Sequence, residues 1–402
     1  MVRKTARALF ALLSCGYFLF ISLFGLCDYL YPDSISKFVG ESVESSLCFS
    51  YVSDPEEEAV EAFAGISSVQ TGSGQILAFG ILPLKSIHVN FYPASTLIPG
   101  GSLFGVKLST RGLIVSGVGN VQTEAGSVSP GSLAGMKKGD IILNAGGVEI
   151  ESVSDFTKII SKSAGSALKL VILRDEKEQT LSLTAVNAAD GSGYKAGLWV
   201  RDHAAGIGTV TYINPVTGQF GGLGHAVCES ETGMIFPFKK GIVTAAVLEG
   251  ITKGTNGSPG EIRGSLGKSS LGSLLGNTRT GVFGIFEHIP EGEGEAIPIA
   301  LKNEVETGKA KMICTLDGFG KKEYEIEIEE IIASDAETKN FIIRVTDEAL
   351  LEQTGGIIQG MSGSPIVQNG KLVGAVTHVL VNNSGKGYGI FIENMLKNEP
   401  AV

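Results

Sequence analysis

The chain has little of several features that mark large classes of proteins. Its 32 lysines and arginines are outnumbered by 42 acidic residues, and no basic run exceeds two residues, which argues against nucleic-acid binding through phosphate neutralisation. The five cysteines are odd in number and none is spaced as C-x-x-C, so neither a disulfide framework nor a zinc site is encoded. We therefore expect no metal and no cofactor. Charged residues make up only 18% against 43% apolar, which argues against bulk disorder.

Glycine, in contrast, is abundant. It supplies 55 of the 402 residues, nearly twice the usual ~7%, without the G-X-Y period of collagen. Few segments after residue 188 have a helical period, so the glycines indicate tight turns between short strands. At roughly 100–200 residues per domain, the length allows two or three domains.

The N-terminus resembles a membrane anchor. Arg3, Lys4 and Arg7 precede an uncharged run over residues 8–27, and a helix of that length rises about 30 Å, enough to cross a bilayer. The positive flank should stay in the cytoplasm. An uncleaved signal-anchor over residues 1–28 is favoured, with a cleaved signal peptide and a buried core helix as alternatives. Residues 29–97 are expected to form a stalk or N-terminal region. Within it, residues 28–75, with an acidic run at 54–58, should have limited structure, and the short apolar alternation over 74–92 indicates a strand.

Residues 98–187 carry the pattern of a small α/β domain. A loop G-G-S-L-F-G at residues 100–105 is followed by strand-like runs, by A-G-M-K-K-G-D-I-I at 134–142, and by an amphipathic helix over 152–163. This resembles a PDZ domain of the bacterial protease-associated type. PDZ domains add an extended peptide to an exposed sheet edge. The resemblance implies that Leu103, Phe104, Gly105 and Val106 bind the peptide; the alternative is a PDZ fold that only packs against its neighbour.

A serine motif stands out in residues 188–402, where closely spaced strand-like runs favour a barrel or a sandwich. In G-M-S-G-S-P, residues 360–365, the flanking glycines let the chain turn sharply beneath Ser362. The N–H groups of Gly360 and Ser362 can then converge on an oxyanion. The motif looks like the nucleophile segment of chymotrypsin-like serine proteases, with Met361 and Ser364 where that family has aspartate and glycine. The alternative is a structural turn.

A serine nucleophile needs a base, and a base needs an orienting group. His225, in G-G-L-G-H-A-V at residues 221–227, is the candidate base, while His378 is expected to be structural or substrate-adjacent. Asp317, Asp335 and Asp347 are candidate acids. Asp347 is favoured because it ends an apolar strand and keeps the order His, Asp, Ser, although a helix N-cap for residues 348–353 explains it almost as well.

The whole arrangement resembles the stage IV sporulation protein B peptidases, which have a membrane-spanning N-terminus, a PDZ domain and a C-terminal serine peptidase domain. Residues 221–227, 345–347 and 354–365 carry the resemblance most specifically. It implies that His225, Asp347 and Ser362 are the catalytic residues. The implied fold is mainly β, with a small α/β PDZ domain at 98–187 and a chymotrypsin-like β-barrel peptidase domain at 188–402.

The resemblance also implies a cellular role. The family acts in the forespore intermembrane space, where it cleaves the extracytoplasmic part of a membrane-bound inhibitor of an intramembrane protease. That protease then processes the precursor of a late mother-cell sigma factor. Self-cleavage within residues 29–97 is expected, with release of the catalytic part. Two other classes remain open: a non-catalytic PDZ adaptor with a degenerate protease domain, and a glycine-rich β coat protein.

Overall fold

The computed structural model describes residues 2–43, 45–46, 48–53, 70–332 and 336–400. The acidic run at 54–58 and the candidate acid Asp335 lie outside these residues. The chain divides into two compact units. One comprises Met1–Thr96 with Pro298–Glu306 and Ala401–Val402, and the other Leu97–Ile297 with Thr307–Pro400.

The first unit begins with a helix α1 (Val2–Leu30), in which Phe10–Leu30 has a mean hydropathy of 2.1 and is long enough to cross a membrane. A four-stranded sheet follows in the order β1-β4-β3-β2. Its strands are β1 (Ser34–Phe38), β2 (Phe49–Ser53), β3 (Gln70–Ala78) and β4 (Leu82–Tyr92). The unit also holds a 3-10 turn at Lys302–Glu304.

Strands β1 and β2 correct the expectation of limited structure across residues 28–75, whereas the end of β3 and all of β4 agree with the strand-like pattern over residues 74–92. Ile76 and Ala78 on β3, and Ile87 and Val89 on β4, are almost fully buried. Each pair is two residues apart, and side chains at that spacing point to the same face of a strand. All four residues belong to one buried apolar cluster.

From Thr96 onward the elements are β5 (Thr96–Pro99), β6 (Leu103–Val118), β7 (Val121–Thr123), β8 (Gly126–Val128), α2 (Pro130–Leu133), β9 (Ile141–Ala145), β10 (Val148–Glu149), α3 (Val153–Ser163), β11 (Ala167–Arg174), β12 (Lys177–Thr184), β13 (Val186–Asn187), β14 (Tyr194–Lys195), β15 (Leu198–Ile213), β16 (Gln219–Gly222), β17 (Lys240–Thr252), β18 (Glu261–Thr278), β19 (Gly281–Phe286), β20 (Ile297–Pro298), β21 (Gly308–Thr315), β22 (Lys321–Ile331), β23 (Phe341–Val345), α4 (Glu348–Thr354), β24 (Pro365–Gln368), β25 (Lys371–Leu380), β26 (Asn383–Phe391) and α5 (Ile392–Lys397).

The PDZ domain contains the predicted amphipathic helix as α3. Its N-cap is Ser152, whose hydroxyl accepts a hydrogen bond from the Asp155 N–H at 3.1 Å, and it ends at Ala164 in the left-handed conformation. Phe156 and Ile160 on its inner face pack into a core with residues of β9, β11 and β12. The predicted mainly β fold with a small α/β PDZ domain is confirmed.

In the second unit, the strand pairings form two closed rings. Strands β21-β22-β23-β26-β25-β24 form a closed six-stranded barrel. In the twelve-stranded sheet, β6-β17-β18-β19-β16-β15 are paired in sequence and β15 pairs back with β6, so these strands also close on themselves. An apolar cluster that includes Phe104, Val106, Phe220 and Phe286 fills this first ring. The peptidase part is therefore a pair of barrels, consistent with the predicted chymotrypsin-like architecture.

The first ring bears on the prediction that residues 103–106 bind a peptide. They lie in β6, where Val106 pairs with Gly206 of β15 on one edge and with Val243 of β17 on the other. The first strand of the first ring thus lies before residue 188, and β6 continues from the ring into the PDZ domain, where Leu113 and Ile114 pair with β9. The expected exposed edge is not present here, because both edges are hydrogen-bonded. Peptide binding at residues 103–106 stays a prediction, and it requires β15 or β17 to move away.

Candidate active site

The candidate base, His225, follows β16 of the first ring. Leu223 and Gly224 both have a φ of 66°, so the chain turns sharply just before the histidine. A Cβ on Gly224 would lie 2.9 Å from the Thr377 Cγ2, so glycine lets this loop approach β25 of the second barrel. The base is therefore held at the junction of the two barrels.

The imidazole of His225 is oriented by a backbone carbonyl. Its Nδ1 lies 2.8 Å from the Ala226 carbonyl oxygen, and because a carbonyl only accepts, Nδ1 carries the proton. Nε2 is then the basic nitrogen. Burial lowers the pKa of His225 below its usual value, which keeps the imidazole neutral and able to accept a proton near neutral pH.

The nucleophile loop is held through most of its peptide groups. The carbonyls of Gly360 and Ser362 accept hydrogen bonds from the Thr209 hydroxyl (2.8 Å) and the Thr209 N–H (3.1 Å). The Gly363 carbonyl accepts from the Thr211 hydroxyl at 2.8 Å, and the Gly363 N–H donates to the Val376 carbonyl at 2.8 Å. Both threonines belong to β15, so the first ring grips the loop that precedes β24 of the second.

Two N–H groups of this loop differ from the rest. Between residues 359 and 364, every other backbone N–H and C=O has a hydrogen-bond partner, whereas the N–H groups of Gly360 and Ser362 have none in the described part of the chain. The Gln359 carbonyl accepts from the Ile262 N–H at 2.8 Å, and in a trans peptide this directs the Gly360 N–H the opposite way. These are the two donors that the sequence predicts for an oxyanion hole.

Ser362 and His225 line the same cavity, of about 900 Å³, together with His378. The Ser362 hydroxyl donates to the Thr377 carbonyl at 2.6 Å. A hydroxyl has one proton, so it is not donated to His225 in this conformation. The structure thus brings the predicted nucleophile and base to one cavity without their hydrogen bond.

Asp347 lies elsewhere. It is the N-cap of α4, where its Oδ1 accepts from the Leu350 N–H at 2.9 Å and its Oδ2 from the Glu325 N–H at 3.4 Å. Another candidate, Asp317, forms an exposed ion pair with Lys322 at 2.6 Å. Among the described residues, no carboxylate is hydrogen-bonded to His225. The catalytic role of Asp347 stays a prediction.

His378, expected to be structural or substrate-adjacent, stands beside the base and lines the same cavity. Its ring centroid is 4.8 Å from that of His225, with a tilt of 38° between the rings. Burial lowers the pKa of His378 to about 4, with smaller contributions from His225 and Lys339, so the ring stays neutral. His378 is exposed at the end of β25 after six consecutive buried residues, 372–377, and the pairing register with β26 shifts between Val376 and His378. Its exposure to the cavity therefore could not be predicted from a strand alternation in the sequence.

Comparisons with known proteins identify two parts of the chain. A family model described as SpoIVB peptidase S55 matches residues 192–396, and a PDZ domain model matches residues 105–185. No curated protein sequence matches the chain.

Solved structures with similar folds are distant. The active form of the Rv3671c protease from M. tuberculosis is 14% identical with a TM-score of 0.30, over 48% of this chain and 71% of that one. Its inactive form is 14% identical with a TM-score of 0.28, over 47% and 80%. Human heparin binding protein is 9% identical with a TM-score of 0.26, over 47% and 82%. The family match spans half of the chain, and this chain therefore belongs to the SpoIVB peptidase S55 family, as a PDZ-containing serine endopeptidase.

Proposed function

We propose that the chain is a membrane-anchored serine endopeptidase with Ser362 as nucleophile, His225 as base and the N–H groups of Gly360 and Ser362 as the oxyanion hole. One observation carries the proposal. Residues 359–364 satisfy all of their backbone groups except those two N–H donors, which flank the serine. Both Gly360 and Ser362 are half-buried and line the cavity that His225 also lines, so their free N–H groups are available to a bound group, and an oxyanion is the ligand that suits them.

The reaction follows from these positions. The Ser362 hydroxyl leaves the Thr377 carbonyl and gives its proton to the His225 Nε2 while its oxygen bonds to the peptide carbonyl carbon. The substrate oxygen takes the developing negative charge between the two N–H groups. The imidazolium of His225 then protonates the leaving amine as the C–N bond breaks. Water, deprotonated by the same base, hydrolyses the acyl-enzyme.

The role of Asp347, the third predicted catalytic residue, is a separate proposal. A carboxylate ordinarily orients the base and stabilises its cation. Here the Ala226 carbonyl orients the ring, and Asp347 fixes the start of α4, which leads into the nucleophile loop. We therefore propose that Asp347 supports activity through α4. The alternative, a triad acid, requires Asp347 to leave its cap.

For the cellular role, we propose cleavage of the extracytoplasmic part of a membrane-bound inhibitor in the forespore intermembrane space. That cleavage would activate intramembrane processing of a sigma factor precursor. The family match and the apolar helix at Phe10–Leu30 support this placement. We also propose self-cleavage within residues 29–97, part of which lies outside the described residues, and a role for the PDZ domain in recruiting substrate.

The experiment compares the full-length protein in membranes with Ser362→Ala, His225→Ala and Ser364→Ala variants, scored by N-terminal self-cleavage and by fluorophosphonate labelling. Wild type and Ser364→Ala should be active, and the other two inactive with unchanged unfolding temperatures. Cleavage by Ser362→Ala at the wild-type rate would mean that the nucleophile is misassigned. A wild type that neither cleaves nor labels would favour the non-catalytic adaptor.

A further inference from the structure

A single buried residue, Thr209 on β15, contacts both loops of the proposed active site. Its hydroxyl donates to the Gly360 carbonyl at 2.8 Å and its N–H to the Ser362 carbonyl at 3.1 Å. Its own carbonyl accepts from the Leu223 N–H at 3.2 Å, two residues before His225. The nucleophile, the base and the oxyanion donors are therefore all tied to one position of the first ring.

The hydrogen bond from the Thr209 hydroxyl is made to a glycine of the nucleophile loop, whose backbone has more conformational freedom than that of other residues. Gly360 has a φ of 97°, and glycine is the residue type that adopts such angles without strain. The peptide before Gly360 is fixed by the Ile262 N–H, and the peptide after it by the Thr209 hydroxyl together with the Met361 N–H, which donates to the Ile358 carbonyl at 3.1 Å. Without the Thr209 hydroxyl, the Gly360 carbonyl loses its partner and the peptide can rotate.

From these contacts we infer that Thr209 is a positioning residue of the oxyanion hole: its hydroxyl fixes the Gly360–Met361 peptide, which joins the two peptides that carry the Gly360 and Ser362 N–H groups, and so keeps both donors turned to the same cavity. The inference rests on the proposed serine-peptidase function. Thr209 acts through the loop and does not touch the substrate. Its contact with the base loop is made by its backbone carbonyl. A side-chain substitution therefore removes the hydrogen bond to the Gly360 carbonyl and leaves the contact with the base loop in place.

The test uses the full-length protein in detergent and a fluorophosphonate probe, whose phosphonyl oxygen occupies the oxyanion position when Ser362 is modified. Thr209→Val keeps the shape and removes the hydroxyl, and Thr209→Ser restores it. The matched control is Thr244→Val on β17, because Thr244 is also fully buried and its hydroxyl has no hydrogen-bond partner among the described residues. Unfolding temperatures are measured for every variant, and Thr209→Ala repeats the comparison with a smaller side chain.

We expect Thr209→Val and Thr209→Ala to label about 10- to 100-fold more slowly, since loss of a complete oxyanion donor costs about 10²–10³-fold in known enzymes. Thr209→Ser and Thr244→Val should label at nearly the wild-type rate. The pH at which the labelling rate is half-maximal should not change, because the base is untouched. Wild-type labelling by folded Thr209→Val, or equal slowing by Thr209→Ser, would overturn the inference. Either result leaves the peptidase proposal standing, because that proposal is tested separately by the wild type and the Ser362→Ala and His225→Ala variants.

Discussion

Replacing Asp347 by asparagine separates its two possible roles. The observed role is the N-cap of α4, through the 2.9 Å bond from the Leu350 N–H to the Asp347 Oδ1. Asparagine caps helices about as well as aspartate, whereas alanine costs about 1 kcal/mol. In a folded region of about 150–250 residues, which is the size of the peptidase part, a loss of about 1 kcal/mol lowers the unfolding temperature by about 2–4 °C. A triad acid behaves differently, because its exchange to asparagine lowers kcat about 10⁴-fold in known serine proteases while leaving the structure intact.

The assay measures the fluorophosphonate labelling rate and the thermal unfolding of Asp347→Asn and Asp347→Ala in the full-length protein. The control is Ser152→Ala, which removes the cap of α3 in the PDZ domain, where the Ser152 hydroxyl accepts from the Asp155 N–H. We expect Asp347→Asn to label at the wild-type rate and to keep nearly all of the wild-type stability, because it loses only the long 3.4 Å bond from the Glu325 N–H. Asp347→Ala and Ser152→Ala should lose similar amounts of stability. A loss of labelling near 10⁴-fold in a fully stable Asp347→Asn protein would refute this reasoning and establish the triad role.

Three further outcomes are expected. Burial raises the pKa of Glu399 to about 7, so its carboxyl contributes stability to the folded state below about pH 4.5 and loses that contribution as the pH rises through 7. At pH 8, Glu399→Gln should therefore raise the free energy of unfolding by about 3 kcal/mol in a denaturant titration. Equal stability of the two proteins would contradict the assigned burial. Burial lowers the pKa of His225, so the labelling rate should fall on acidification only below the usual histidine value near 6.5, and a half-maximal pH above 7 would contradict a buried base. Gly363→Ala should abolish labelling, because its Cβ would clash with the Thr209 carbonyl and with Leu223 at a φ of 95°; an active variant would show that the loop does not need this packing.

Local features of the chain were predictable because they depend on neighbours in sequence. The apolar run of α1, the capped and amphipathic α3, and the glycine-flanked turn at Ser362 all have residue patterns that fix their own conformation. The PDZ and peptidase regions were recognised from motifs of the same local kind. Strand patterns likewise indicated a mainly β chain.

Partners distant in sequence were not predictable. Residues 103–106 alternate as any half-buried strand does, and nothing local tells whether their edge receives a peptide or the chain's own β15 and β17. The first ring shares β6 with the PDZ domain and takes its other strands from the chain after the PDZ elements, and composition does not show that one strand belongs to both. Thr209 was missed for the same reason: its importance lies in contacts with Gly360 and Ser362, far along the chain.

The contacts around His225 show which side-chain arrangements could not be predicted from the sequence. Both roles of Asp347 were foreseen, and only the coordinates place its carboxylate against the Leu350 N–H. The neutral ring of His378 lies beside His225, and the Ala226 carbonyl makes the Nδ1 contact that was expected from a carboxylate. Chain order alone does not determine which polar residue approaches an imidazole.

The most direct test of the central claim is to map, by mass spectrometry, the residue that a fluorophosphonate modifies in the full-length protein. The account predicts a single adduct on Ser362, with labelling strongly reduced in His225→Ala and unchanged in Asp347→Asn. An adduct on Ser364 or on any other serine, or undiminished labelling of Ser362 without the imidazole of His225, would contradict it.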